Sequence, residues 1–330
     1  MKNLKDYIAF VNEQIENAVL KKDLQPVELY DPVKYILSNG GKRIRAVMTL
    51  ISARLFADDI SNAISPALGL EVFHNFTLLH DDIMDKASIR RGIPTVHLKW
   101  DENTAILSGD AMMIMANKLV FNVPHQILPE IIQTFNQTAL EVCEGQQYDM
   151  NLETKQLAHT EITEEEYLEM IRLKTSVLIG CSLKIGAICG GATREQSEAI
   201  YNYGVNIGLA FQIQDDLLDS FGLEAEFGKR IGGDIIEGKK TYLLIKALQN
   251  ASSQDKNRLI AIINDRSLDE TSKIVEIKAI YERSGAKKLA EEKIEDYFKK
   301  AGYYLSSMGL SESRMDVLKE LEKSLQKRNK

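Results

Sequence analysis

The sequence predicts an all-α protein. Three observations lead there: apolar residues recur at helical spacing along nearly the whole chain, no run alternates apolar and polar residues between turn signals as a half-buried strand would, and only 6 Pro and 20 Gly punctuate 330 residues. A hydrophobic content of 44% beside 27% charged residues describes a globular chain able to bury a large core. No linker separates two compositions, so residues 1–330 are read as a single domain.

The elements follow in order. Leu4, Ile8, Val11, Ile15 and Val19 form a helical stripe interrupted by Asp6, Glu13 and Glu16, which is a surface helix rather than a signal peptide. Breaks fall at Asn39-Gly40-Gly41, at Gly92-Ile93-Pro94, at Asn122-Val123-Pro124 and along Gly222 to Gly238. Ala105 to Val120 and Val177 to Gly191 are small and apolar on most sides, as expected of helices at the centre of a bundle. Neither reaches the roughly 18 uninterrupted apolar residues of a membrane span. From Ser311 onward, Leu318, Leu321 and Leu325 stand among many charges, which predicts a solvated terminal helix.

A formal charge of -7 argues against a nucleic-acid partner, which would call for a basic face to meet phosphates. Cys143, Cys181 and Cys189 are an odd number at wide spacing, so neither a disulfide framework nor a zinc site is predicted, and a reducing cytoplasm fits.

The one internal echo carries the chemistry. Leu78 to Asp85 reads LLHDDIMD, and Gln212 to Asp219 reads QIQDDLLD. Residues four apart on a helix differ by about 40° around the axis, so Asp81 and Asp85 share a face, as do Asp215 and Asp219, while Asp82 and Asp216 extend each cluster sideways. Gathered carboxylates repel unless cations or water lie between them. Leu78, Leu79, Ile83 and Met84 flank the first cluster, and Phe211, Ile213, Leu217 and Leu218 the second, so neither helix is simply a solvated acidic face. Carboxylate oxygens without His or Cys select hard cations, and magnesium keeps several waters while bridging to phosphate oxygens. The expected ligand is a magnesium-bound diphosphate.

Cations stand near both clusters. Arg90 and Arg91 follow the first, before Gly92 and Pro94 break the helix. Lys229 follows the second, and Lys239 and Lys240 come after a glycine-bearing loop that contains Asp234. Near the N-terminus, Gly40-Gly41-Lys42-Arg43-Ile44-Arg45 places three cations at what reads as a helix start, whose unbonded N–H groups attract anions.

These residues resemble the trans-isoprenyl diphosphate synthases, or polyprenyl synthetases. GGKRIR from Gly40, LLHDDIMDKASIRRG from Leu78, GQQYD from Gly145, LKTS from Leu173, FQIQDDLLD from Phe211 and GKKT from Gly238 stand in that family's order. The resemblance implies an all-α homodimer of about ten or more helices per chain around a central cavity (the isoprenoid synthase fold), with three magnesium ions. It implies Asp81, Asp85 and Asp215 as the main metal ligands, supported by Asp82, Asp216 and Asp219. Arg90, Lys174, Lys229 and Lys239 would hold the allylic diphosphate, with Gln146 and Asp149 completing its surroundings, while Thr175 and Gln212 stabilise the carbocation. Isopentenyl diphosphate, which carries no metal, would be bound by Lys42, Arg45, His74 and Arg91. The helical wheel agrees in part: His74 lies about 20° from Asp81, whereas His80 points about 100° away and is read as structural. Ala46 stands where many family members have Pro.

With Phe76 five residues before the first aspartate, Thr77 four before it and no insertion in DDIMD, the chain resembles short-chain synthases of geranylgeranyl (C20) type, with farnesyl (C15) product the near alternative. Phe73 and Leu70 could also floor the pocket. The primer would be dimethylallyl, geranyl or farnesyl diphosphate. Two other readings are weighed: a terpene cyclase, which has no need of Lys42, Arg45 and His74, and a non-catalytic regulatory subunit, which would be expected to lose aspartates that are intact here.

Overall fold

The computed structural model describes residues 1, 3–20, 23–157, 162–222, 231–265 and 267–326, with the side chains of Leu325 and Gln326 excepted. Among them the protein is built from helices: α1 (Leu4–Gln14), α2 (Val27–Ser38), α3 (Ile44–Phe56), α4 (Ser61–Met84), α5 (Val96–Lys99), α6 (Glu102–Val120), α7 (Leu128–Thr154), α8 (Glu164–Ile171), α9 (Val177–Cys189), α10 (Arg194–Phe221), α11 (Gly233–Glu237), α12 (Tyr242–Asn250), α13 (Ser253–Asn264), α14 (Glu270–Arg283), α15 (Ala286–Ser307) and α16 (Glu312–Gln326). The all-α expectation stands. One departure is a two-residue antiparallel ladder, β1 (Ile89–Arg90) with β2 (Ile93–Pro94). It sits where the sequence reading continued the helix as far as Gly92; α4 in fact ends at Met84, because Lys86 takes a left-handed conformation (φ 51°).

Helix starts follow local chemistry. Asp101 caps α6 through Thr104 N, Thr163 and Glu166 form a reciprocal capping box on α8, and Thr241 accepts from Leu244 N at the start of α12. Between α8 and α9 the chain widens into a π-helical turn, Arg172–Ser176, which carries Lys174 and Thr175.

The helices fall into two compact units. The first comprises Met1–Asn136, Cys181–Ile200 and Gly309–Leu321. Here α4 lies along α6, and Gly69 allows the close approach: a Cβ added there would lie 2.8 Å from Val120 N and 2.9 Å from Ala116 O. Residues of α9 rest on α3, where Ser52 donates to Leu183 O at 2.6 Å. Two expectations are corrected in this unit. Helix α6 is not buried on most sides, since Ile106, Leu107 and Ile114 are 44–61% exposed. The terminal helix α16 is not merely solvated: Met315, Leu318 and Leu321 are buried, and Arg314 donates to Arg54 O at 3.2 Å, because the apolar residues share one helical face.

The second unit comprises Gln137–Gly180, Tyr201–Met308 and Glu322–Lys330. Its core joins Tyr167, Ile171, Leu209, Ile213 and Leu217 to Tyr242, Leu244, Ile280 and Tyr297. Cys143, Cys181 and Cys189 are free thiols. Among the described residues no helix is long and apolar enough to cross a membrane.

Candidate active site

The first aspartate cluster closes the C-terminal end of α4, in the first unit. Asp82 is buried, Asp81 half-buried and Asp85, the C-cap residue, exposed. Arg90, on β1, donates to Asp82 Oδ1 from Nε at 2.8 Å and from a terminal nitrogen at 2.5 Å, and lies 3.9 Å from Asp81 Oδ2. Burial raises the Asp82 pKa more than this guanidinium lowers it, and Asp81 adds to the rise.

The hairpin that follows brings a second arginine back to the loop before α3. Arg91 (φ 53°) donates to Gly40 O at 2.9 Å, and its guanidinium lies so close over Gly41 that a Cβ there would meet it at 2.9 Å. Asn39 Nδ2 holds Arg90 O at 3.2 Å. These ties bring the cations of the loop and hairpin around His74. Burial, then Arg45, Arg91, Arg90 and Arg43, push the His74 pKa well below the usual imidazole value, so the ring is neutral at pH 7. Arg45 is lowered to about 10 by burial and by Arg91 against the pull of Glu71, and its Nε is buried without a hydrogen bond. Arg45, Arg91, Arg90 and Arg43 thus act together on His74, with Glu71 on α4 as the buried acid among them, while Lys42 is exposed on the loop.

The second cluster lies on α10, in the second unit, with Gln212 and Asp215 half-buried and Asp216 and Asp219 buried. Asp216 Oδ2 accepts from Tyr167 Oη at 2.6 Å and from Tyr242 N at 2.9 Å. Asp219 holds the segment beyond it with two of its oxygens: Gly232 N donates to its backbone oxygen at 2.6 Å and Asp234 N to Oδ2 at 3.0 Å. Burial first, then the charge of Asp234, push Asp216 up to about 8 and Asp219 to about 6. A cation bound there would offset this burial and crowding and favour the ionised carboxylates. Lys239 is 3.3 Å from Asp234 and 3.1 Å from Glu237; burial pulls its pKa down but these two acids carry it above the usual lysine value. On the π-helical turn, Lys174 Nζ is 2.5 Å from Asp149 Oδ2, with Gln146 one turn earlier on α7. Lys229 lies outside the described residues. Among the described residues no three acidic, His or Cys side chains converge into a ready metal cage.

The model of the polyprenyl synthetase family matches residues 26–282. The chain belongs to the polyprenyl synthetase family. A short chain isoprenyl diphosphate synthase from Methanothermobacter thermautotrophicus is 38% identical over 318 residues, 96% of this chain and 92% of its own. A crystal structure of geranylgeranyl pyrophosphate synthase, 42% identical, superposes with a TM-score of 0.92 over 100% of both chains. A geranylgeranyl pyrophosphate synthase from Corynebacterium glutamicum, 27% identical with a TM-score of 0.81 over 98% of this chain and 97% of its own, was crystallised with isoprenyl diphosphate and magnesium. This polyprenyl synthetase is accordingly a prenyltransferase of the short-chain isoprenyl diphosphate synthase type, with the all-α isoprenoid synthase fold.

Two residues of the polyprenyl synthetase site, Glu71 and Tyr167, and the inward tie of Arg43 were not drawn from its motifs. Glu71 stands as one acid in an otherwise apolar run, LGLEVF, a signal that marks it in hindsight. Tyr167 and Arg43, which hold Asp216 and Glu71, carry no such signal, since their partners are 49 and 28 residues away. Near the proposed tail pocket, Phe76 is half-buried against Phe73 (ring centroids 5.6 Å) and His80 (4.8 Å), while Phe73 meets Phe135 at 5.2 Å. His80 packs against α6: Nε2 lies 3.1 Å from Ile106 O and its Cδ2 2.6 Å from where a Gly109 Cβ would be. Thr77 donates to His74 O at 2.8 Å.

Proposed function

We propose that this chain condenses isopentenyl diphosphate head to tail with an allylic diphosphate, giving geranylgeranyl diphosphate (C20) as its main product, and that residues 1–330 act as one domain. The observation that supports the reading is the contrast between a neutral His74 ringed by arginines and the carboxylates gathered at the end of α4 and on α10. Lys42, Arg45, neutral His74 and Arg91 suit a diphosphate without metal, whereas Asp81 with Asp85, and Asp215 with Asp216 and Asp219, suit one that arrives with hard cations. The family match, continuous from 26 to 282, runs through both compact units and supports a single domain.

The donor set fits magnesium: carboxylate oxygens only, crowded and buried at Asp216 and Asp219 so that a cation would favour their ionised forms, and among the described residues no closed protein cage, as suits an ion that keeps several waters. Asp81, Asp85 and Asp215 would be direct ligands. Since Asp216 Oδ2 and Asp219 Oδ2 are taken by hydrogen bonds, those two would reach an ion through their remaining oxygens or through water. Magnesium, when bound, supplies the charge that lets the diphosphate leave the allylic carbon. Arg90, Lys174 and Lys239, with Lys229 by resemblance, hold that diphosphate, assisted by Gln146 and Asp149. Thr175 and Gln212 present dipoles to the allylic cation. The alkene held by way of Lys42, Arg45, His74 and Arg91 attacks it, forming the new C–C bond, and the departed diphosphate takes a proton so that the C–H pair restores a double bond one unit along.

Phe76, packed between Phe73 and His80 in tilted and edge-on contacts, is the proposed floor for the growing tail. The exposed apolar face of α6 supports a homodimer, and the free thiols support a cytoplasmic setting. The test is to incubate purified protein with isopentenyl diphosphate and each of dimethylallyl, geranyl and farnesyl diphosphate, with and without magnesium, and to size the products by mass spectrometry. Magnesium-dependent C20 product is expected; C15 or longer product corrects the pocket, and no elongation with any primer refutes the chemistry.

A further inference from the structure

The loop before α3 and the first turn of that helix offer three cations, Lys42, Arg43 and Arg45, yet one of them is turned inward. Arg43 is 4% exposed, whereas Lys42 is exposed and Arg45 half-buried. Its backbone is left-handed (φ 49°), a conformation that a non-glycine residue keeps only where its surroundings over-determine it. The surroundings come from three helices: Nε donates to Asn12 Oδ1 of α1 at 3.0 Å, one terminal nitrogen to Leu37 O of α2 at 2.5 Å, and the other lies 3.5 Å from Glu71 Oε1 of α4. Its own carbonyl accepts from Val47 N at 2.9 Å, the first helical bond of α3. We infer that Arg43, clamped by Asn12 and Glu71, is a positioning residue that sets Lys42 and Arg45 for the isopentenyl diphosphate. The inference rests on the proposed role of those two cations.

Two consequences of the geometry support it. Lys42 and Arg45 flank Arg43 within three residues, so a guanidinium fixed at three points leaves the turn between them little freedom. Arg43 also engages Glu71, the acid whose charge reaches Arg45, so that Arg45 keeps a buried Nε without a protein hydrogen bond and its positive charge for an incoming anion. Asn12 lies outside the 26–282 span that the family model matches, so part of the clamp comes from the N-terminal helix of this chain.

The experiment is calorimetric titration of the full chain with isopentenyl diphosphate alone, beside farnesyl diphosphate with magnesium, for Asn12→Ala and for Arg43→Met combined with Glu71→Gln. The double variant removes both charges, so no buried carboxylate is left unpaired and the fold is retained. Expected is an isopentenyl diphosphate Kd weaker by about fivefold for Asn12→Ala and about tenfold or more for the double variant, the size of a lost charge-assisted hydrogen bond, with farnesyl diphosphate binding within about twofold of the parent. Equal loss for both ligands would reduce Arg43 to a general structural role and overturn the inference. Lys42→Ala and Arg45→Ala separate the two claims: if they weaken isopentenyl diphosphate binding and Asn12→Ala and the double variant do not, only the inference falls. If Lys42→Ala and Arg45→Ala also bind normally, the assignment of the pocket falls with it.

Discussion

Gly145 gives the most stringent test of how Lys174 is placed. It lies in α7, at the point where that helix passes the π-helical turn, and a methyl group there would stand 2.6 Å from Lys174 Cα and 2.6 Å from the Leu173 carbonyl carbon, with Lys174 N closer still. All three are backbone atoms, so no rotamer change relieves the clash. To recover the 3.4 Å of ordinary contact with the two carbons the turn must retreat from α7 by about 0.8 Å, and by more than that to clear Lys174 N. Lys174 Nζ then moves away from Asp149 on the same helix, at present 2.5 Å off, and from the diphosphate it is proposed to hold. Overpacking of this kind costs about 1–3 kcal/mol, and a misplacement near 1 Å can cost on the order of 100-fold in rate. Gly145→Ala is therefore expected to lower Tm by a few degrees and to reduce kcat/KM for the allylic primer by about 10- to 100-fold, with isopentenyl diphosphate affinity nearly unchanged. Steady-state kinetics with each substrate varied, beside a thermal melt, decide it. Kinetics within threefold of the parent at an unchanged Tm would show that the contact at Gly145 does not govern Lys174.

Gly302→Ala is the matching control: on α15 nothing lies within 4 Å of an added Cβ, so the helix should gain about 0.5–1 kcal/mol in a denaturant melt with activity intact. Phe76→Ala removes the ring held between Phe73 and His80 and should shift the product distribution beyond C20, read by mass spectrometry; an unchanged distribution counts against Phe76 as the floor. Arg90→Ala leaves buried Asp82 without its guanidinium, which should cost about 1–3 kcal/mol of stability and raise the KM for the allylic primer more than that for isopentenyl diphosphate. His74 supplies a pH test. Its folded pKa is depressed, so acidification through the ordinary histidine pKa of about 6.5 protonates the unfolded chain first, and stability is lost as pH falls. His74→Gln should flatten the fall in Tm between pH 7.5 and 5; an equally steep fall would assign the acid sensitivity to other groups.

The fold class and the motif helices were legible because they are local. Asp81 with Asp85 and Asp215 with Asp219 share faces by helical periodicity alone, and the structure keeps those segments helical. What escaped the sequence is what depends on distant residues. The place where α4 stops is set by the left-handed turn at Lys86, so Arg90 and Arg91 stand on a hairpin rather than on the helix. The inward turn of Arg43 depends on Asn12, Leu37 and Glu71 together, and no periodicity distinguishes it from Lys42 beside it. The apolar composition of α6 suggested burial all round, although composition does not say how many neighbours a helix has; Ile106, Leu107 and Ile114 remain open to solvent. Conversely, the charges of α16 masked a narrow stripe of Met315, Leu318 and Leu321 that suffices to dock it.

Asp219 has a meaning for the length of the chain as well as for its charge. Its backbone oxygen and its carboxylate hold Gly232 and Asp234, so the two ends of the stretch between α10 and α11 are stapled to one residue. Whatever number of residues lies between the staples, the frame that carries Asp234 and Lys239 is referred to Asp219 and not to the path taken by the intervening chain. Lengthening a closed loop costs little, only about 0.6 kcal/mol per doubling. A change of chain length after Gly222 is thus expected to shift Lys229 while Asp234 and Lys239 stay referred to Asp219.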